Sequence, residues 1–255
     1  MCTTCGCGSP DEKASVKIPG NKFELNLDKQ HDDEHHHHSP HKINIERDIL
    51  LENNMLAERN RGFFEAKNSF VINMMSSPGS GKTSLLEKTI LALKDKVNFY
   101  VIEGDQQTMN DALRIKATGV PVIQVNTGNG CHLDSEMVHR AVIELGIKEN
   151  SLVMIENVGN LVCPSLFDLG ENTRIVIMSV TEGEDKPIKY PTMFQSANIC
   201  IFNKIDLLPH LDYDLEKAKK FAHQVNHHLV FFELSAKTGE GMESWCEWLS
   251  SNLKK

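Results

Sequence analysis

A β-rich apolar run over Ser69–Met75 leads directly into Ser76-Ser77-Pro78-Gly79-Ser80-Gly81-Lys82-Thr83, and a helical pattern opens at Ser84. Strand, glycine-containing loop and helix in that order make a phosphate-binding loop. Gly79 and Gly81 let backbone amides turn inward around phosphates, and the helix N-terminus adds partial positive charge. Lys82 is expected to reach the β- and γ-phosphates, and the Thr83 hydroxyl to ligate Mg²⁺. Ser80 and Ser84 complete the nucleotide-binding stretch. The place where the usual motif begins with glycine is held by Ser76.

The rest of the chain fits an architecture built on such a loop. Further apolar runs lie at Asn98–Ile102, Val120–Val125, Leu152–Ile155, Arg174–Val180, Asn198–Phe202 and Leu229–Phe232. Helical patterns fall at Ser84–Leu93, Leu133–Leu145, Leu215–Val225 and Met242–Leu253. Continuous apolar strands alternating with helices predict an α/β P-loop NTPase fold over 68–255, with a mostly parallel central sheet flanked by helices. Residues 43–67 read as an amphipathic helix, with Ile45, Ile49, Met55, Leu56 and Phe63 among its apolar positions, packing on the main domain or on a partner. Residues 1–42 are polar and rich in Gly, Pro, Ser and Asn, and are expected to be a disordered tail.

A net charge of −8 argues against nucleic acid or an anionic membrane as a partner. No stretch is long and apolar enough to span a bilayer, and no basic segment precedes an apolar one as in a leader peptide. The expected compartment is the reducing cytoplasm, where thiolates can hold metals.

Asn203-Lys204-Ile205-Asp206 follows an apolar strand and matches the Asn-Lys-x-Asp element that reads guanine. The Asp206 carboxylate can accept from guanine N1–H and its exocyclic amine, a pattern adenine lacks. Ser235-Ala236-Lys237 resembles the third guanine-contacting loop, so GTP and GDP are the expected nucleotides. Asp105 and Glu156 end strands on the phosphate-loop edge. Asp105 and Glu156 are the candidate Mg²⁺ ligands beside Thr83, Asp105 directly or through water, and Lys82, Thr83, Asp105 and Glu156 are the candidate catalytic residues. Glu156 opens Glu156-Asn157-Val158-Gly159, in the place of the Asp-x-x-Gly switch, from which the Gly159 amide can meet the γ-phosphate. The alternative is that these carboxylates only cap loops. Asn160 stands where Ras-like proteins carry a water-orienting glutamine, which predicts a GTPase of slow intrinsic turnover.

Thiols and imidazoles form a second theme. Cys2, Cys5 and Cys7 fall within seven residues, a spacing that suits a soft metal; a disulfide framework is the weaker reading for seven cysteines in 255 residues. Six histidines lie within 31–41, either a metal-buffering tract or an affinity tag. Cys131, His132 and Cys163 follow strands whose ends face the nucleotide edge. They suit Zn²⁺ or Ni²⁺ with a fourth donor such as Glu136, or are small buried residues, as expected of Cys200 and Cys246.

Together the N-terminal thiols, the Ser-Ser-Pro-Gly-Ser-Gly-Lys-Thr loop, Cys131-His132, Glu156-Asn-Val-Gly-Asn-Leu-Val-Cys163-Pro, Thr181-Glu-Gly-Glu-Asp-Lys-Pro and Asn203-Lys-Ile-Asp206 resemble the hydrogenase nickel-incorporation GTPase family, HypB, of the SIMIBI class. Ser76 is how that family's loop usually reads. The resemblance implies nickel delivery to the [NiFe]-hydrogenase large-subunit precursor, a GTP-dependent homodimer, and work with the zinc-binding accessory protein HypA. It makes Cys2, Cys5 and Cys7 a high-affinity nickel motif, and Cys131, His132 and Cys163 a Zn²⁺ or Ni²⁺ site at the dimer interface. It also lets Lys186 or Lys189 contact nucleotide across that interface; a solvated charge run is the alternative. The rivals are a urease-type nickel GTPase, whose Cys-Pro-His motif this chain lacks, and a nickel-storage protein with a secondary GTPase.

Overall fold

Apolar strands without alternation need cover on both faces, and the chain supplies it. The structure, a computed structural model, describes residues 15–17, 24–26, 41–105, 109–128 and 130–253. Cys2, Cys5, Cys7 and the histidines from His31 to His38 lie outside the described residues. The central strands are β3 (Phe70–Ser76), β4 (Asn98–Asp105), β5 (Val122–Asn126), β6 (Ser151–Glu156), β7 (Thr173–Ser179), β8 (Ile199–Asn203) and β9 (Val230–Glu233). They pair in parallel in the order β5-β4-β6-β3-β7-β8-β9. Two short strands within the expected tail, β1 (Ser15–Lys17) and β2 (Glu24–Asn26), pair antiparallel, β1 on β5 and β2 on β1.

The helices are α1 (His41–Ala66), α2 (Lys82–Leu93), α3 (Asn110–Ala117), α4 (Ser135–Leu145), α5 (Lys186–Lys189), α6 (Pro191–Ser196), α7 (Leu215–Val225) and α8 (Met242–Asn252). Successive β3 side chains take opposite faces. Ile72 and Met74 join Leu86 and Ile90 of α2 and Trp245 of α8, whereas Val71 joins Phe64 of α1 and Val142 of α4. Met75 packs with Phe194 of α6 and Ala218 of α7. Because β3 lies between β6 and β7, the loops leaving β3, β4, β6 and β8 share one edge, where open α/β sheets place ligands.

Three local features depart from the sequence expectation. Helix α3 was not foreseen: it has eight residues and buries only Ala112 and Ile115, too few for a visible periodicity. The short α5 and α6, each with a proline in its first turn, were also missed. In α1 the expected apolar positions Ile49 and Met55 are exposed, and the buried stripe is Asn53, Ala57, Asn60 and Phe64. That stripe has helical spacing, but half of it is amide, and of the expected apolar positions Phe63 packs partly buried beside it. Among the described residues, no helix is long and apolar enough to cross a membrane.

Candidate functional site

The phosphate loop is closed on itself by hydroxyls. Gly79 and Gly81 have φ of 76° and 96°, conformations that L side chains rarely adopt. A Cβ at Gly81 would also stand 2.5 Å from Asn203 Nδ2. Lys82 Nζ donates to Ser76 Oγ at 2.9 Å, and Ser80 Oγ reaches the same oxygen at 2.6 Å. Ser76 therefore gives the loop a polar anchor that a glycine could not.

The base-reading elements meet the loop from β8. Asn203 donates to Ser80 O at 2.9 Å and accepts from Ala236 N at 3.1 Å. Lys204 Nζ donates to Gly79 O at 2.7 Å. Ser235 Oγ donates to Asp206 Oδ1 at 2.5 Å, while Lys237 stays exposed. The phosphate loop and Lys204 line one edge of a cavity of about 470 Å³, lined also by Ser84, Glu103, Asp105, Asp111, Glu156 and Gly159. At Gly159 a Cβ would lie 3.2 Å from Pro78 Cα, so this segment abuts the phosphate loop. Asn160 Oδ1 accepts from Val162 N at 2.8 Å, a local turn bond.

The acids at this cavity include two, Glu103 and Asp111, beyond the expected Asp105 and Glu156. Glu156 accepts from Thr83 Oγ1 at 2.8 Å. Its register partner across the β4–β6 ladder is Glu103, which the sequence did not single out. Oxygens of Glu103, Asp111 and Glu156 lie within 4.8 Å of one another. Asp105 lines the same cavity, outside that cluster. Glu103 and Glu156 are buried, and each keeps its Oε2 without a hydrogen-bond partner. Orphan carboxylate oxygens beside a threonine hydroxyl suit a hard divalent cation such as Mg²⁺.

Burial and the neighbouring Glu156 carboxylate push the Glu103 carboxyl well above its ordinary value of 4.5. Burial raises Glu156 too, opposed by the Lys82 ammonium. A raised acid contributes its full stability below the ordinary value and loses it as pH climbs through the raised one. Glu103→Gln is therefore expected to raise the metal-free melting temperature, with a gap over the parent that widens as pH rises above the ordinary carboxyl value of 4.5, by up to roughly 1.4 kcal/mol per pH unit while one proton is released. Thermal denaturation across that range checks this, and a constant gap refutes it.

Beside this cavity the structure brings Cys131, His132 and Cys163 together, with ligand atoms within 4.8 Å of one another. Cys131 Sγ and His132 Nδ1 are 3.7 Å apart. Tetrahedral zinc bound by sulfur and imidazole would separate those donors by about 3.6 Å, so the spacing fits one ion. The His132 ring stacks on Phe167, with centroids 3.8 Å apart. Glu136 does not complete the set: its oxygens accept from Arg59 at 3.1 Å and Arg140 at 2.9 Å. Cys200 is buried in β8, where burial pushes its thiol upward, and Cys246 is half-buried on α8. Lys186 and Lys189 pair within the chain, with Glu182 at 2.9 Å and Asp185 at 2.8 Å. The Glu182 carboxylate also accepts from the Ser77 hydroxyl.

Helix α1 holds both thiol-bearing segments with its buried amides. Asn53 accepts from Ser135 N and donates to Asp168 O, and Asn60 donates to Ser135 O and Leu169 O. Each amide thus bridges the start of α4, just past His132, and the segment past Cys163. Asparagines inside a helix gave no sequence signal for this.

Comparison with known proteins places this geometry. The CobW/HypB/UreG nucleotide-binding domain family matches residues 70–233. The chain is 46% identical to the hydrogenase maturation factor HypB of Escherichia coli K12, covering 98% of this chain and 99% of that protein. The crystal structure of HypB from Helicobacter pylori in complex with nickel superposes with a TM-score of 0.75 at 37% identity, over 80% of this chain and 95% of that one. HypB from Archaeoglobus fulgidus superposes with a TM-score of 0.74 at 38% identity, over 80% and 99%.

Proposed function

This chain belongs to the HypB family of hydrogenase maturation factors, CobW/HypB/UreG GTPases, and on that premise we propose that it is a nickel metallochaperone that couples GTP hydrolysis to metal handling. The observation that carries the reading is the thiol–imidazole trio beside the nucleotide cavity, with Cys163 four residues past Gly159. The nickel-bound Helicobacter pylori relative supports nickel as the cargo.

In this reading GTP lies along the phosphate loop, and Lys82 turns from Ser76 Oγ to the β- and γ-phosphates. Asn203 and Lys204 keep the loop in register with the guanine site of Asp206, Ser235, Ala236 and Lys237. Thr83, Glu156, Glu103, Asp111 and Asp105 would hold Mg²⁺ directly or through water; when bound, it neutralises charge on the transferring phosphoryl group. Gly159 offers its amide to the γ-phosphate. The Asn160 oxygen is occupied by Val162 N–H, consistent with slow intrinsic hydrolysis.

Cys131, His132 and Cys163 take Ni²⁺ or Zn²⁺ as thiolates and neutral imidazole. Val162 and Leu166 flank Cys163 and are 47% and 39% exposed. A second copy formed in the GTP state covers them and supplies the missing donor. Cys2, Cys5 and Cys7 capture nickel first and pass it inward. HypA and the hydrogenase large-subunit precursor are the proposed partners.

Purified protein loaded with nickel is expected to release it at different rates with GTP, GDP and a non-hydrolysable analogue; identical rates sink the coupling. In cells, hydrogenase maturation should survive deletion of 29–42 and fail with Cys131→Ala. The opposite pattern favours nickel storage on the histidine tract.

A further inference from the structure

We infer that Asn157 is a positioning residue that ties the nucleotide-sensing segment to the Cys131–His132 half of the metal site by holding Leu133. The inference deepens the function proposed above and rests on its metal-binding reading of the trio. Cys163 shares a loop with Gly159, so its link to nucleotide is covalent and short. Cys131 and His132 sit on a different loop, after β5, and need another connection. The Asn157 side chain provides one.

Asn157 is buried and directly follows Glu156. Its Oδ1 accepts from Leu133 N at 3.1 Å and from Val158 N at 3.0 Å. Its Nδ2 donates to Asn73 Oδ1 at 3.2 Å, and its own N–H donates to Met74 O at 3.0 Å. Asn73 in turn donates to Glu171 Oε1 at 3.0 Å. One amide thus spans β3, which feeds the phosphate loop, the end of β6 with Glu156, and the peptide immediately after His132.

Leu133 is gripped from a second side. Its side chain is fully buried against Gly104, where a Cβ would lie 2.8 Å from Leu133 Cγ. Gly104 stands between Glu103 and Asp105 on the strand that contributes Glu103 to the acid cluster. Both supports of Leu133 therefore come from the nucleotide edge. Interiors are close-packed and polar groups inside them are costly to leave unpaired. A shift of the 156–159 segment must then either carry Leu133 with it or break the Asn157–Leu133 bond. Either outcome moves His132 relative to Cys163.

The test is a ratio, because a merely structural role would shift affinities without shifting their dependence on nucleotide. Full-length protein carrying Cys2→Ala, Cys5→Ala and Cys7→Ala, with asparagine in place of His31, His35, His36, His37, His38 and His41, isolates the inner site. Its Zn²⁺ affinity is measured by competition with a chromophoric chelator, in Mg·GDP and in the Mg complex of a non-hydrolysable GTP analogue. The parent ratio should be about fivefold or more from unity, and nucleotide affinities with and without Zn²⁺ should reproduce it. Asn157→Ala should bring the ratio within about twofold of one. Gly104→Ala, which pushes Leu133 from the other side, should do the same. An unchanged ratio in a folded Asn157→Ala protein overturns the inference while leaving the metal-binding reading intact. A parent that binds no Zn²⁺ overturns that reading and the inference with it, and a parent whose ratio is one overturns the inference together with the nucleotide coupling, while leaving metal binding intact. Should both variants fail to fold, amide exchange in the parent decides. Peptides spanning 130–137 should exchange at different rates in the two nucleotide states, and identical rates overturn the inference.

Discussion

Asp206→Asn is expected to lower GTP affinity by roughly 10³-fold or more, and to make xanthosine triphosphate the better ligand. In the function proposed above the carboxylate accepts from both guanine N1–H and the 2-amino group. Asparagine keeps one acceptor and turns the other into a donor, which faces a donor on guanine but the 2-oxo group of xanthine. The effect should be large because the side chain is not free to swing away. Ser235 Oγ holds it at 2.5 Å, the same hydroxyl accepts from Thr238 N at 3.1 Å, and Asn203 ties the neighbouring Ala236 to the phosphate loop. A mismatched group in a braced pocket leaves polar atoms unpaired instead of relaxing. Titration with fluorescent GTP and XTP analogues measures both halves of the switch. GTP affinity within about threefold of the parent would show that Asp206 does not read the base.

Removing the Lys82 ammonium is expected to cut GTP turnover by roughly 10²–10³-fold, the scale for one electrostatic stabiliser aimed at a transferring group. The structure adds a second cost. Lys82 is buried beside two buried acids, and its charge opposes their upward-shifted pKa values. Lys82→Ala should therefore also hold the Glu103–Glu156 pair protonated to higher pH and weaken Mg²⁺ binding near neutrality. Single-turnover hydrolysis at several Mg²⁺ concentrations separates the two. Saturating Mg²⁺ should recover part of the loss, and the remainder measures the missing contact to phosphate. Turnover within about fivefold of the parent at every concentration would exclude Lys82 from the chemistry.

The contrast between these residues and others shows what a linear reading can reach. The phosphate loop and the two base loops are short contiguous runs whose geometry follows from glycine conformation, a helix start and side-chain chemistry. Gly79, Gly81, Lys82, Asn203 and Asp206 could be placed before any coordinates. Cys131, His132 and Cys163 could be singled out because thiols are scarce, but not joined, since the two loops meet only once β5 and β6 flank β4. Glu136 illustrates the converse. One helical turn from His132 made it a plausible donor, yet Arg59 from α1 and Arg140 from its own helix take its oxygens.

By itself, then, the sequence determined the fold class and the family and singled out the candidate nucleotide and soft-metal residues, because each is written in adjacent residues or in the period of a strand or helix. Tertiary structure alone decided which acids cluster and what braces the metal loops. Glu103 faces Glu156 through the register of a parallel ladder, Asp111 arrives on a helix with little amphipathic pattern, and Asn53, Asn60 and Asn157 bond to backbone groups far along the chain. Hydrogen bonds to distant peptides leave no periodic trace in a sequence, since any polar residue can make them and only the packed fold determines which one does.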